Sequence, residues 1–328
     1  VRGGYAVSGR TARGGRWVTA AVVLAVVPWA VWCAVRLAGA ERGFPLVPAL
    51  AFTPYAAATA VVPLAFALLL RRWRTAAAAA AVALGLASAV VPRAVAAADA
   101  PGPQGPELRV LTLNMFYGEA DPEAVVDLVR AEDADVLSLQ EVTPRAVDRL
   151  ADAGLGRLLG HGIDESAEGA MGGAIYARYP LKAADRPPDE HFPNPRARLT
   201  VPGGAAVEVV AAHTVPPYAA DLVGPWTDTV GALPPATPDG PLRVIAGDLN
   251  ATLDHAALRD VIATGYVDAA DTTGDGWRAT WPVDRSVPGL AIDHVLVDRR
   301  AGVERVGVSE VPGTDHRAVL AVLRLPPA

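Results

Sequence analysis

Three uncharged apolar runs dominate the front of the chain: Trp17–Val35 (19 residues), Leu46–Leu70 (25 residues) and Thr75–Val91 (17 residues). A helix that crosses a bilayer needs about 20 apolar residues, with a range of roughly 17–25. The pattern predicts three transmembrane helices within residues 1–93, at about 17–35, 46–70 and 75–91. The second run contains Pro48, Pro54 and Pro63, which membrane helices tolerate better than soluble ones. More than half of the third run is alanine, so it is the least hydrophobic of the three.

Residues 94–106 (AVAAADAPGPQGP) lack apolar periodicity and read as a linker. From residue 107 the pattern changes to short β-like runs: Leu108–Leu113, Val136–Leu139, Gly173–Ala177, Arg198–Val201, Val207–Ala212, Arg243–Ala246, Ile292–Val297, Val303–Val308 and Ala318–Leu323. Helical stretches fall between them, at Asp121–Glu132, Pro144–Ala153, Ala219–Leu233 and His255–Ala263. Asp121 followed by Pro122 is a helix start: a capping carboxylate, then a residue with no N–H to lose. This alternation over residues 107–328 predicts a layered α/β domain.

Charge divides the chain at the same place. Residues 1–106 carry ten arginines against Glu41 and Asp99; residues 107–328 carry 18 arginines and Lys182 against 33 acids. The front is therefore +8 and the back −14, which counts against a nucleic-acid binder with a broad basic surface. Arg2, Arg10, Arg13 and Arg16 precede the first run, and Arg71, Arg72 and Arg74 separate the second from the third. The positive-inside rule puts both arginine groups in the cytoplasm. Three crossings then make a multi-pass cell-membrane protein with residues 107–328 outside. Two alternatives stay open: a cleaved signal peptide ending near Ala38-Gly39-Ala40, and a third run that does not span, which leaves the back half inside. Cys33 is the one cysteine, so an intrachain disulfide and a cysteine-based zinc site are excluded.

The polar residues able to do chemistry stand at strand ends: Asn114, Gln140-Glu141, His213, Asp248 with Asn250, Asp293, and Asp315-His316. Each alone is weak, since a carboxylate after a strand is often a turn former or cap. Asp254 and Asp298 are read that way, and His161, His191 and His255 as solvated or locally satisfied rings. His294 alternates away from Asp293 and supports it from behind.

Taken in order, the motifs LNM (113–115), QE (140–141), AHT (212–214), GDLN (247–250), IDH (292–294) and TDH (314–316) resemble the endonuclease/exonuclease/phosphatase superfamily, over roughly Leu108–Leu325. The resemblance implies a four-layer α/β/β/α sandwich with the site at one rim. It implies Asn114, Glu141 and Asp315 around Mg²⁺ or Mn²⁺, hard cations that prefer oxygen ligands. It assigns Asp248 to deprotonating water, Asn250 to holding the water or a phosphoryl oxygen, and His316, held by Asp293, to the charge growing on phosphate. His213 becomes a phosphate contact or an acid near the leaving group, and Arg196, Arg198 and Arg317 become phosphate contacts. One departure is Phe116, where many relatives carry an acid; Thr314 replaces the usual serine but keeps the hydroxyl.

Membrane runs ahead of such a domain resemble the VanJ-type teicoplanin-resistance membrane proteins. That layout implies a metal-dependent phosphohydrolase on the outer face, cleaving a lipid-linked phosphate or pyrophosphate such as undecaprenyl pyrophosphate, with no stable nucleic-acid partner. An extracytoplasmic nuclease or other phosphodiesterase is the alternative, and a catalytically idle membrane sensor a further one.

Overall fold

The computed structural model describes residues 9–97, 102–185, 191–284 and 287–328; Arg2 and linker residues 98–101 lie outside them. The chain forms two compact units. One comprises residues 1–41 and 52–91, the other residues 42–51 and 92–328.

The first unit holds α1 (Gly9–Ala38); the second contributes α2 (Leu46–Leu50); the first resumes with α3 (Thr53–Thr59), α4 (Val61–Leu69) and α5 (Trp73–Val90). Two described helices are long and apolar enough to cross a membrane, Trp17–Ala38 and Trp73–Ala94, each of 22 residues. The expected second span, 46–70, is instead broken into α2, α3 and α4. Proline explains the breaks. Pro54 occupies the first turn of α3 and Pro63 the first turn of α4, where no N–H is needed, but within a continuous helix each would remove a hydrogen bond and clash with the preceding turn. Thr53–Leu69 is left as a shorter apolar stretch, about 25 Å at 1.5 Å per residue, against a hydrocarbon core of about 30 Å. Conversely, the alanine-rich third run makes a full-length helix. Polar contacts tie this unit together: the indole N–H groups of Trp29 and Trp32 donate to Thr59 and Thr53 at 3.1 and 3.0 Å. A Cβ on Gly85 would lie 2.7 Å from Cys33 Sγ, so glycine is what lets α5 approach α1 there.

The second unit continues with β1 (Glu107–Asn114), α6 (Pro122–Ala131), β2 (Val136–Gln140), α7 (Pro144–Asp152), β3 (His161–Glu165), β4 (Gly173–Ala177), β5 (Lys182–Ala183), β6 (Arg196–Thr200), β7 (Ala206–His213), α8 (Val223–Gly231), β8 (Leu242–Asp248), α9 (Ala256–Ala263), β9 (Tyr266–Asp268), α10 (Ala269–Thr273), β10 (Asp293–Asp298), β11 (Gly302–Glu310) and β12 (Arg317–Arg324). Asp121 caps α6 by accepting from Ala124 N–H at 3.1 Å, as its sequence predicts. Two six-stranded sheets form, ordered β11-β12-β1-β2-β4-β3 and β5-β6-β7-β8-β10-β9. Val110, Val136, Val209, Val244 and Val295 pack between the sheets. Leu111, Leu113, Val125 and Leu150 pack α6 and α7 on one outer face; Ile245, Trp226, Leu258 and Val261 pack α8 and α9 on the other. The result is the expected four-layer sandwich. Residues 95–97 and 102–106 adjoin it: Ala97 N–H donates to Thr272 C=O, Gly105 N–H to Leu325 C=O, and Leu325 N–H to Pro106 C=O, at 2.8, 3.0 and 2.9 Å.

Within the second sheet, Glu208 is buried and accepts from Arg198 Nε at 3.0 Å and Arg243 Nε at 2.7 Å. Burial works against its charge, but the two guanidinium groups outweigh it and hold the carboxyl below its usual range. A lowered folded pKa lends stability above the unfolded value and loses it as pH falls. Glu208→Gln is therefore expected to cost about 3 kcal/mol at pH 7 and less at pH 3, as the carboxyl protonates. Thermal unfolding at the two values checks this; equal losses at both would contradict the ion pair's role.

Candidate active site

The site continues the rows of side chains that separate the sheets. Side chains alternate along a strand, so Asn114 follows Val110 and Thr112 on one face of β1, His213 follows Val209 and Ala211 on β7, and Asp248 follows Val244 and Ala246 on β8. On antiparallel β10, Asp293 precedes Val295 and Val297. Register aligns His213 with Asp248, Asp248 with Asp293, and Asn114 with Gln140. Beneath the rim, Thr112, Gln140 and Ser138 form a buried hydrogen-bond chain that reaches Ala246 C=O on the opposite sheet. Where apolar packing ends, these same rows turn polar.

Asn114 Nδ2 donates to Glu141 Oε1 at 3.0 Å and to Asp248 Oδ2 at 3.1 Å, joining the two sheets. Its Oδ1 accepts from Phe116 N–H at 2.9 Å, while Tyr117 N–H donates to Glu141 Oε2 at 3.0 Å. Asp248 Oδ1 accepts from Asn250 N–H at 2.9 Å, and Asn250 Nδ2 donates to Thr214 C=O at 2.9 Å. Phe116, Tyr117, Glu141 and Asn250 all have positive φ, between 45° and 54°, a conformation uncommon for such residues. Strain of this kind gathers where surrounding structure holds functional groups in place.

His316 Nδ1 meets both oxygens of Asp293, at 3.1 and 3.0 Å, and its Nε2 lies 3.7 Å from Asp248 Oδ2. His213 Nε2 lies 3.8 Å from both Glu141 Oε1 and Asp248 Oδ2. These Nε2 separations exceed hydrogen-bond length, so both rings point at Asp248 while keeping room for an arriving oxygen. Burial opposes charge on His316, but Asp293 and Asp248 outweigh it and push its pKa up to about 10. Burial depresses the pKa of His213, offset only in part by Asp248. Burial likewise raises Asp248, against the pull of His316. One ring is thus cationic and its neighbour neutral.

Other predicted residues fall elsewhere. Arg198 pairs with Glu208, five positions down the strand from His213; Arg317 pairs with Glu310 and donates to Ala279 and Val283 carbonyls. Arg196 is buried on β6 opposite Val210. His294 lies on the opposite face of β10 from Asp293, between Asp268 Oδ2 at 2.8 Å and Ala251 C=O at 2.9 Å. Burial opposes its charge, and Asp268 overcomes that and raises its pKa. Asp298 pairs with Arg300. His161 and His191 are exposed, but His255 is fully buried.

Several contributors carry no sequence signal because they sit in loops without periodicity. Thr280 Oγ1 accepts from Ile292 and Asp293 N–H groups. Trp281 Nε1 donates to Asp315 Oδ2 at 2.8 Å, Phe192 stacks on His213 at 4.6 Å, and Asn194 Oδ1 accepts from His213 N–H at 2.6 Å. Thr314, by contrast, is visible in the sequence as the hydroxyl of the TDH motif, and it holds Asn114 C=O and His316 N–H together, at 2.8 and 3.1 Å.

Residues 111–316 match the model of the Endonuclease/Exonuclease/phosphatase family. The chain belongs to that family. Solved structures share its fold. An endonuclease/exonuclease/phosphatase from Beutenbergia cavernae is 22% identical, covering 67% of this chain and 72% of its own, with a TM-score of 0.53. An AP endonuclease from Archaeoglobus fulgidus is 15% identical (65% and 98% covered, TM-score 0.52). D. rerio TDP2, in complex with a single-strand DNA product, is 16% identical (66% and 99% covered, TM-score 0.51). No curated protein matches the chain.

The donor set fits a hard divalent cation. Glu141, Asp248, Asp293 and Asp315 share the rim with one imidazolium, His316, so negative charge is in excess. Asp315 Oδ1 is buried and accepts no hydrogen bond. Asp248, Asp293 and His316 also present ligand atoms within 4.8 Å of one another, but His316 is cationic and turned to Asp293, which makes it a poor ligand.

The raised His316 pKa sets a sign for stability. Its contribution is complete below the ordinary imidazole pKa of about 6.5 and is lost as pH rises through about 10. Thermal stability is expected to fall between pH 7 and pH 10, and His316→Gln to flatten that slope. Identical slopes in both proteins would break the assignment.

Proposed function

We propose that the chain is a membrane-anchored phosphohydrolase acting on a lipid-linked phosphate or pyrophosphate, such as undecaprenyl pyrophosphate. The observation that carries the reaction class is the row Asp293–His316–Asp248 facing the Asn114–Glu141 pair. In this reading, Asp248 takes a proton from water aligned by Asn250, and its upward-shifted pKa suits a base. His316, oriented by Asp293, donates from Nε2 to a non-bridging phosphoryl oxygen as charge develops there. Neutral His213 assists the leaving oxygen. Mg²⁺ or Mn²⁺ held by Glu141, Asn114 and Asp315 would neutralise phosphoryl charge. Attack is direct: no serine, threonine or cysteine in this set stands beside a base as a nucleophile would.

The lipid reading is supported by the mouth of the site. Phe116 and Tyr117 are 39% and 51% exposed, with ring centroids 5.2 Å apart. Tyr117 lies within the electrostatic reach of Glu141, Asp315 and Tyr218, and Tyr218 is also exposed. Aromatic surface beside a phosphate site suits a substrate whose other end is hydrocarbon. The acidic catalytic half, −14 over residues 107–328, is a poor start for gripping a nucleic acid through its phosphates.

The test is phosphate release by the full-length protein in detergent with Mg²⁺. Undecaprenyl pyrophosphate, isopentenyl pyrophosphate, sphingomyelin, inositol phosphates and DNA are compared. Turnover of the polyprenyl substrate that EDTA abolishes is expected, and His316→Gln is expected to lower it on the order of 10²-fold. Phe116→Ser with Tyr117→Ser should raise KM for the long-chain substrate about tenfold and leave isopentenyl pyrophosphate unchanged, since the loss is apolar contact. Preference for DNA would replace the lipid reading with a nuclease; silence on every substrate would remove the catalytic one.

Orientation is part of the same proposal. Trp17 and Trp73 are exposed at the starts of the two long helices, beside Arg16 and the Arg71–Arg74 group, as belts at a cytoplasmic interface would be. Thr53–Leu69 is read as the shorter return crossing between them. A reporter fused after Pro106 is expected to be active only outside the cytoplasm; cytoplasmic activity there would reverse the topology.

A further inference from the structure

Residues 42–51 stand in the chain between α1 and α3, two helices of the first unit, yet they are built into the catalytic unit. Val47 is 2% exposed and packs with Val210, Val215, Trp226, Leu249 and Leu258. Its carbonyl meets His255 Nε2 at 3.0 Å. The opposite ring nitrogen, Nδ1, accepts from Thr252 N–H at 2.9 Å, which assigns the remaining ring proton to Nε2 and makes Val47 C=O its acceptor. The same ring sits edge-on to Trp226 at 4.9 Å, and Trp226 Nε1 donates to Asn250 C=O at 3.0 Å.

Next to His255, the carboxylate of Asp254 is fully buried. Arg93, just past α5, grips it through both guanidinium nitrogens at 2.7 and 2.8 Å. Gly276 N–H then donates to Arg93 C=O at 3.1 Å. Asp248 and Asn250 of the candidate site, and Thr252, Asp254 and His255 of these contacts, belong to one eight-residue stretch.

We propose that residues 43–51, through the Val47–His255 bond, and Arg93, through its grip on Asp254, form a strap that positions the catalytic loop 248–255. His255 and Asp254 are then positioning residues: they touch no substrate, but they hold the stretch that orients Asp248 and Asn250. A loop carrying a base and a water-orienting amide tolerates little displacement, because misplacement of about 1 Å costs on the order of 10²-fold in rate. The strap also makes that loop dependent on chain segments attached to the apolar helices. A fragment beginning after residue 97 lacks both Val47 and Arg93.

Two substitutions at one position separate the strap from a purely local role. In His255→Gln the side-chain amide reaches the place of Nε2 and keeps the donor to Val47 C=O. In His255→Asn the shorter side chain keeps an acceptor near the place of Nδ1 for Thr252 N–H and loses Val47. The full-length protein is purified in detergent and read in two ways. Hydrogen exchange is followed over residues 43–51 and 247–256, and hydrolysis of bis(4-nitrophenyl) phosphate is measured with Mn²⁺. The strap predicts that His255→Asn speeds exchange in both segments and lowers kcat about tenfold with KM within about twofold. His255→Gln stays within about twofold of the parent. Arg93→Lys keeps the charge but not the two-point grip, and is expected to speed exchange over 247–256. The reverse order, Asn benign and Gln damaging, assigns His255 to the loop alone and overturns the strap. So does unchanged exchange over 43–51 in His255→Asn. The kinetic arm rests on the phosphohydrolase reading; the exchange arm does not, so the strap is decided even if the diester is not hydrolysed.

Discussion

Excess negative charge in a buried place is the constraint from which the candidate site follows. Asp248 is 2% exposed and Asp293 4% exposed, and Glu141 is tied to Asp248 through one amide of Asn114. Burying such charges without partners costs several kcal/mol each. The structure compensates with one imidazolium, His316, fixed against Asp293, and with hydrogen bonds from Asn114, Asn250 N–H and Tyr117 N–H. It does not compensate fully, and the shortfall is what suits the site to a divalent cation and a phosphate rather than to a neutral ligand.

The sandwich makes that charge density affordable by supplying rigid walls on both sides. Three strands of the second sheet bring His213, Asp248 and Asp293 into one row by register alone. Asn114 and Glu141 come from the first sheet, so the site exists only when both sheets are packed. Strain is concentrated at the junction, with Glu141 and Asn250 both at positive φ just beyond their strands. Apolar packing immediately below, together with the Thr112–Gln140–Ser138 chain, holds these residues in an unfavourable conformation.

Much of this was legible from period-two alternation. Nine predicted strands fall on observed ones, and the chemical residues were recognisable because they end or begin those runs. Three strands were not seen, and each has a reason. His161–Glu165 is an edge strand of mostly exposed residues, Lys182–Ala183 is two residues long, and Tyr266–Asp268 is three. None offers enough alternation to read. The run 46–70 misled in the other direction. Its hydropathy is that of a span, but Pro54 and Pro63 restart the helix, and Val47 finds its apolar partners in Trp226 and Leu258 instead of lipid. Hydropathy reports that a segment must leave water; it does not report what will receive it.

The same limit explains the buried histidines. Alternation turns His294 away from Asp293 and sets both His294 and His255 apart from His316, but it names no partner for either ring. His294 neutralises Asp268 on the outer face of β10 and holds Ala251 C=O. His255 accepts from Thr252 and donates to Val47, 208 residues away. Asp254 reads as a turn former until Arg93, 161 residues earlier, is seen beside it. Partners this far apart in the chain leave no periodic trace, because each pair depends on a topology already formed. All three residues nevertheless anchor the stretch after β8 while lying outside the candidate cluster. Two buried histidines and a buried ion pair surround one short loop, and that concentration of long-range contacts fixes the path by which it turns through the left-handed region at Asn250.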